Sequence, residues 1–328
     1  MVSDRPTTSD PSRPITTFRF GELPLSPPCC VAITGVDTFF GRRLVERWSR
    51  TDSAPRIVHC DLGQTDLSER FREERVESVV HLSLQDVPGV ESERGLASDL
   101  SSTQALLDAC AKAGIGRLVI PSSTMCYGPR LENPQHMRED ARLYGQPDTR
   151  WVSTRVQIEQ RVATFRDQFP QCDVTVLRHC WVMGPAYLDA IVRYFEADWV
   201  PTVLGHDPLL QFVHEDDVLD TLEAAALRPH PGTFNVVGDG VLPLSGYLRL
   251  AGKWNVPTPE RLLSFVSDAP LPFSGAHSGR GFCDYLKYIW LASGERAENE
   301  FGPRTYSSQE AWLSMVGARR LRDYQARN

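Results

Sequence analysis

The residues best placed to do chemistry lie early in the chain. In Val31-Ala32-Ile33-Thr34-Gly35-Val36-Asp37-Thr38-Phe39-Phe40-Gly41-Arg42-Arg43-Leu44 an apolar run ends at one glycine, and a helical pattern opens at a second. Gly35 permits a tight turn and Gly41 lets the helix pack closely on the strand. The helix N-terminus offers unpaired N–H groups and a partial positive charge to a pyrophosphate. Thr38 stands where a G-x-x-G-x-x-G pattern has its middle glycine. Its Cβ crowds the phosphate position, although its hydroxyl is able to donate a hydrogen bond. Thr34, Gly35, Thr38, Phe39, Phe40 and Gly41 are the first candidate dinucleotide contacts, with a relic turn as the competing reading. Asp61-Leu62 follows the next strand-like run, where a carboxylate can bind ribose hydroxyls or simply hold a turn. Leu82 ends the run after that.

Proton transfer is the second chemistry to look for. A tyrosine followed one helical turn later by a lysine makes a titratable pair, because the ammonium lowers the phenol pKa. The three lysines, Lys112, Lys253 and Lys287, are preceded at four residues by Asp108, Arg249 and Cys283, so no Tyr-x-x-x-Lys pair exists. The eight cysteines show neither a C-x-x-C pair nor histidines at zinc spacing, and no metal site is expected. His214, Asp216 and Asp217 have the look of a metal cluster but read as a strand-to-helix junction, with the acids at a helix N-terminus.

These groups must be positioned by regular elements. From Cys29 to Arg178 short apolar runs alternate with amphipathic stretches, the pattern of an α/β, doubly wound parallel sheet flanked by helices. The spacing predicts strands at Cys30 to Thr34, Arg56 to Cys60, Ser78 to Leu82, Arg117 to Pro121 and Val174 to Arg178. Helices are predicted at Phe40 to Ser49, Leu67 to Glu74, Leu96 to Ala113 and Val152 to Phe169. Leu100, Thr103, Leu106, Leu107 and Cys110 form one buried helical face. A single strand-like run fits between Gly41 and His81, so the adenosine side of a dinucleotide fold reads as abbreviated. Residues 1–28, rich in Ser, Thr, Pro and Arg without a secretory apolar core, read as a disordered tail. Residues 29–178 read as the dinucleotide-binding domain and 179–328 as a smaller substrate lobe that returns segments to the main sheet. Leu209 to His214 and Thr233 to Val237 read as isolated strands there.

At 328 residues and 41% hydrophobic content the chain can bury a sizeable core, and a formal charge of −7 argues against nucleic acid or an anionic membrane as partner. Lysine plus arginine is 35, so three lysines leave 32 arginines, a bias that implies no function by itself. No segment reaches the roughly 18 apolar residues of a membrane span. A cytoplasmic setting is the expectation.

Further short pieces fall in a telling order: Asp61-Leu62, Val79-Val80-His81-Leu82, Val119-Ile120-Pro121-Ser122-Ser123-Thr124-Met125-Cys126-Tyr127-Gly128, Val176-Leu177-Arg178 with Met183-Gly184-Pro185, Phe212-Val213-His214-Glu215-Asp216-Asp217-Val218, and Gly232-Thr233-Phe234-Asn235-Val236. Together with Gly35 and Gly41, the chain resembles the extended short-chain dehydrogenase/reductases, the NAD-dependent epimerase/dehydratase group that includes UDP-glucose 4-epimerase. The resemblance implies a Rossmann-type fold with a C-terminal substrate lobe, NAD or NADP as cofactor, a small-molecule substrate and a homodimer formed through the helices at Leu96 to Ala113 and Val152 to Phe169.

Carried over by resemblance, Ser123 takes the position of the serine that hydrogen-bonds the reacting oxygen. The tyrosine and lysine positions fall on Trp151 and Arg155. An indole N–H donates but does not titrate, so Trp151 cannot shuttle a proton; Arg155 can grip ribose hydroxyls. Tyr127 and Tyr144 are the substitute acids to consider. Where sugar-nucleotide epimerases carry a substrate asparagine and a diphosphate-binding arginine, this chain has Trp181 and Leu210, which disfavours a nucleotide sugar. Trp181, Tyr187, Phe195, Trp199, Leu209 and Leu210 either line an apolar pocket or form the lobe's core. The leading expectation is an atypical oxidoreductase or epimerase acting on a carbinol carbon. The alternatives are a catalytically silent dinucleotide-binding relative and a structural protein with no cofactor.

Overall fold

The computed structural model describes residues 30–63, 66–84, 93–263 and 280–327. The predicted tail at 1–28 lies outside the described residues. The first strand, β1 (Cys30–Thr34), is buried at all five positions, as a continuous apolar run must be when both faces of a parallel sheet are covered. Beside it lie β2 (Arg56–Cys60) and β3 (Ser78–His81), followed by β4 (Arg117–Ser123) and β5 (Asp173–His179). The sixth strand, β10 (Gly232–Val236), arrives from the second half of the chain. The order is β2-β1-β3-β4-β5-β10, with every pairing parallel.

Along the chain one strand, β2, separates β1 from its inner sheet neighbour β3, where the longer dinucleotide-binding order 3-2-1-4-5-6 has two before the corresponding strand. The first five strands therefore follow the doubly wound order 2-1-3-4-5, whose ligand crevice opens between β1 and β3.

On one face of the sheet sit α1 (Phe39–Ser49) and α6 (Glu215–Leu227); on the other sit α2 (Leu67–Glu73), α3 (Glu93–Ala113) and α4 (Arg150–Gln168). Strand alternation builds both cores: Val31 and Ile33 join the first cluster, Cys30 and Ala32 the second. Helix α1 turns Phe40, Gly41, Leu44 and Trp48 inward. Its outer face is tied to α6, with Arg43 paired to Glu215 (3.0 Å) and Asp216 (2.7 Å), Arg47 to Glu223 (2.8 Å), and Trp48 Nε1 donating to the same Glu223 (2.7 Å).

The remaining elements are short: β6 (Trp181–Met183), α5 (Ala190–Glu196), β7 (Trp199–Val203), β8 (Leu209–Leu210), β9 (Phe212–His214), β11 (Leu242–Pro243), α7 (Leu244–Leu250), β12 (Trp254–Thr258), α8 (Arg280–Tyr285), α9 (Glu295–Phe301) and α10 (Ser308–Arg327). Two sequence expectations are corrected here. Leu209 to His214 is not one strand: β8 pairs antiparallel with β11, β9 pairs parallel with β6, and the chain changes partner at Gln211. The buried Gln211 amide fixes that break, donating to the Gly238 carbonyl (3.2 Å) and accepting from Ala292 N–H (3.2 Å). Thr233 to Val237 is not isolated either, since β10 completes the main sheet against β5.

Close packing explains Gly41. A Cβ there would sit 2.2 Å from the Gly35 carbonyl oxygen, whereas one at Gly317, on α10, meets nothing within 4 Å. Gly41→Ala is expected to lower the thermal midpoint by several degrees, and Gly317→Ala to raise it slightly, by about 0.5–1 kcal/mol of helix propensity. Calorimetry of the two variants checks this contrast.

Candidate functional site

The β1–α1 turn has the shape that the glycines require. Gly35 adopts φ +66, and a Cβ on it would lie 2.6 Å from Ser83 N, so the turn is pressed against the end of β3. Thr38 closes the helix itself. Its Oγ1 donates to the Gly35 carbonyl (2.7 Å) and accepts from the Gly41 N–H (3.2 Å), removing one of the donors that a phosphate would use. Beside it Phe39, Phe40 and Tyr187 form an aromatic cluster with centroids 5.1 to 5.6 Å apart. The mouth of α1 is thus narrowed by a hydroxyl cap and by rings.

Two spaces flank this mouth, and they differ greatly. At the carboxyl ends of β1, β2 and β3 lies a cavity of about 950 Å³. Its lining includes Gly35 and Asp37, Asp61, Leu62 and Gly63, Arg70 of α2, Ser83, and the α3 residues Ser98, Asp99, Ser101 and Ser102. Asp61 Oδ1 accepts from Gly63 N–H (3.0 Å), so this carboxylate holds its own turn while facing the cavity. On the far side of the mouth, a space of about 20 Å³ is lined by Thr38, Phe40, Leu82, Ser122, Trp151 and Arg155, together with His179 and Tyr187. That is room for about one water molecule.

Trp151 fills this second space because of how α4 is seated. Trp151, Arg155 and Glu159 are spaced at i, i+4 and i+8, so they form one buried stripe facing the sheet. The Arg155 guanidinium lies 5.0 Å from the Trp151 ring centroid. Glu159 grips Arg178 of β5 with contacts of 2.6, 3.0 and 3.1 Å and accepts from Ser122 Oγ. Burial opposes the charge on Arg178, but Glu159 outweighs it and holds the guanidinium pKa above its ordinary value. Arg178 also donates to the Tyr127 hydroxyl (2.9 Å), which donates to Asn235 Oδ1 on β10 (2.7 Å).

This network decides what the candidate acids can do. Burial pushes the Tyr127 phenol up to about 12 despite the adjacent Arg178, and its hydroxyl is committed on both sides. Tyr144 is 48% exposed and covered by the guanidinium groups of Arg130 and Arg142 at 4.3 and 5.0 Å. Ser123 caps the short 3-10 turn after β4, accepting from Met125 N–H (3.2 Å). Neither tyrosine nor Ser123 lines the two spaces beside α1.

Trp181 and Leu210, the residues expected at the substrate end, are buried in the hydrophobic core. Trp181 packs among Phe195, Phe212, Phe282 and Trp290 at 4.9 to 6.3 Å, with its indole N–H directed at Met125 Sδ (3.3 Å), and Leu210 is fully buried. Of the six apolar residues expected to form either a pocket or a core, Trp181, Tyr187, Phe195 and Leu210 are buried, Leu209 is half-buried, and Trp199 is 65% exposed and stacked on Trp254. The His214 junction is structural in form. His214 caps α6 by accepting from Asp216 N–H (3.2 Å), and Asp217 accepts from the N–H groups of Thr305 (2.7 Å) and Tyr306 (3.1 Å).

Sequence reasoning missed the polar side of α3. Ser98, Ser101, Ser102 and Ala105 recur at i, i+3, i+4 and i+7 opposite the apolar stripe, a signal available in the sequence. His81 was also missed as a structural group. Its ring nitrogens meet Thr34 Oγ1 (2.8 Å) and Thr103 Oγ1 (3.0 Å), joining β1, β3 and α3.

A parallel sheet with a glycine-opened helix and a cavity at its switch point defines a Rossmann-type dinucleotide-binding fold. The NAD dependent epimerase/dehydratase family model matches residues 31–237, and the chain belongs to that family. An uncharacterized protein of Mycobacterium tuberculosis (strain ATCC 25618 / H37Rv) is 29% identical over 256 residues, covering 71% of this chain and 68% of that protein. Similar solved structures include MoeE5 in complex with UDP-glucuronic acid and NAD (TM-score 0.67, 20% identity, 89% of this chain and 99% of that one). The UDP-glucose 4-epimerase of Thermotoga maritima with UDP-glucose gives a TM-score of 0.66 at 16% identity, with 89% and 99% covered. The dTDP-glucose 4,6-dehydratase of Bacillus anthracis in complex with NAD gives 0.65 at 13% identity, with 90% and 97% covered. At these identities the likeness establishes the fold.

Removing one partner of the buried ion pair strands the other charge. Glu159→Gln is expected to cost about 3–5 kcal/mol, and the Glu159→Met/Arg178→Met double variant distinctly less than the sum of the single losses, measured by urea denaturation. A second expectation concerns pH. Burial, with Arg155 adding to it, pushes His81 down to about 3; desolvation likewise brings His179 to about 4. Unfolded imidazoles titrate near 6.5, so below that pH the unfolded chain takes up protons that the native state refuses, and stability falls as pH drops towards 4. The thermal midpoint should fall by roughly 5 °C between pH 7.5 and 5, and less in His81→Asn.

Proposed function

We propose that this chain is a catalytically silent, NAD-binding member of its family, holding the cofactor by its ADP-ribosyl half in the cavity between β1, β2 and β3. The observation that carries this reading is the contrast between about 950 Å³ on the adenosine side of α1 and about 20 Å³ on the other, where Trp151 and Arg155 replace the titratable pair. The larger volume falls within the roughly 300–1,000 Å³ of small-molecule sites. Asp61 and the α3 serines supply groups for sugar hydroxyls and phosphate, and the turn at Gly35 supplies the close backbone approach. The nicotinamide riboside does not fit the residues on the other side, so no hydride step is assigned.

Against the oxidoreductase alternative, neither substitute tyrosine lines the spaces beside α1: Tyr127 is locked to Arg178 and Asn235, and Tyr144 stands at the surface. A homodimer through α3 and α4 and a cytoplasmic location belong to the same proposal. Among the described residues no helix is long and apolar enough to cross a membrane.

Calorimetric titration tests the binding mode. ADP-ribose should bind within about threefold of NAD, nicotinamide mononucleotide should not bind, and Asp61→Ala should weaken ADP-ribose about tenfold. Saturable binding of nicotinamide mononucleotide, or a substrate-dependent change in NADH absorbance, would overturn the silent reading.

A further inference from the structure

The last helix, α10, has one face in the core and another at the surface. Ala311, Trp312, Met315 and Val316 are buried, with Trp312 stacked on Phe212 at 5.3 Å. On the opposite side Glu310, Leu313, Gly317, Leu321 and Tyr324 follow at intervals of 3, 4, 4 and 3 residues, which aligns them in one stripe along the helix. All five are exposed, Leu313 at 39% and Leu321 at 57%. Gly317 stands at the centre of the stripe, with a leucine four residues to either side. A Cβ on it would meet nothing within 4 Å, so no packing among the described residues calls for a glycine, although a glycine inside a helix weakens it. Charge is uneven along the same helix. Arg319, Arg320 and Arg322 crowd its carboxyl-terminal half against one acid, Asp323, whereas the amino-terminal end carries Glu310.

We infer that this stripe is where a second copy of the chain docks, its α10 antiparallel to the first and crossing it at Gly317. A two-fold axis through that crossing sets Leu313 of each copy against Leu321 of the other, because a stripe spaced symmetrically about its centre is complementary to itself in this orientation. With no side chain at 317 the two backbones approach closely and the leucines interlock. A parallel pairing would bring the two arginine-rich ends together; the antiparallel one puts each of them beside the Glu310 end of the other copy and sets the helix dipoles in opposition. One helix face is less than the roughly 1,200 Å² of total surface that stable complexes bury, so the pairing is weak, with a dissociation constant on the order of 10–100 µM. It uses neither α3 nor α4, adds to the homodimer proposed above, and does not rest on the nucleotide site.

Sedimentation velocity of the full chain from about 1 to 300 µM should show the particle mass doubling as concentration rises. Leu321→Arg and Gly317→Arg should each abolish the doubling, and Gly317→Ala, which strengthens the isolated helix, should weaken it about tenfold. Cross-linking reads the register. Gly317→Cys should form an intermolecular disulfide on oxidation, whereas Gln325→Cys, with its counterpart about 24 Å away along the pair, should not. The native cysteines among the described residues are buried, which keeps the background low. The substituted positions are exposed, so the variants fold as the parent does, which far-UV circular dichroism checks. The α3–α4 homodimer is common to parent and variants, so its presence or failure does not alter the comparison. A mass that does not double, a doubling unchanged in Leu321→Arg and Gly317→Arg, or cross-linking of Gln325→Cys as readily as of Gly317→Cys would overturn the assignment.

Discussion

The arrangement of the site depends on two opposite charges taken out of water between α4 and β5. Glu159 and Arg178 are each about 6% exposed, and a pair so deeply placed is tolerated only when nearly every remaining lone pair and proton is met. Ser122, Tyr127, the Glu139 carbonyl and, through Tyr127, Asn235 meet them. The cluster therefore joins β4, β5, α4 and β10, and fixes the rotation of α4 about its axis. With that rotation set, residues one and two turns earlier on the same stripe have no choice of direction. Arg155 and Trp151 face the sheet end, and a bulky indole occupies what a smaller or titratable side chain would leave open.

On the function proposed above, the chain keeps the binding half of a dinucleotide fold and closes the reacting half. Each change acts by a different physical means. Thr38 satisfies a helix donor internally, Phe40 and Tyr187 stack across the mouth, and Trp151 takes up volume. The glycines that make the turn possible are retained, each with backbone lying where a side chain would stand.

Much of this was legible in the sequence. Apolar runs of four to seven residues gave the main strands within one or two positions, because strands buried on both faces carry their signal locally. The absence of a Tyr-x-x-x-Lys pair could be read directly, and the family resemblance implied that Trp151 and Arg155 stand at those positions. What could not be read depends on distant partners. Gln211 breaks a run that looks continuous, because its amide reaches Gly238 and Ala292. Trp181 could have faced a ligand or a core until Phe282 and Trp290, about a hundred residues later, were seen to enclose it. Tyr127 is an ordinary phenol in sequence and becomes a structural member only through Arg178 and Asn235.

The truncated flank of the sheet has its own consequence. Among the described residues β2 is the outermost strand, paired on its inner edge, and its Arg56 and His59 are exposed, polar side chains of the kind that discourage intermolecular strand addition. Loss of a terminal strand is the mildest deletion a parallel sheet can suffer, since no interior strand changes neighbours. On the reading proposed above, a nucleobase at this rim meets a single shelf of protein instead of a slot. Selectivity then rests on the sugar and phosphates, and purines of different edge pattern become interchangeable guests.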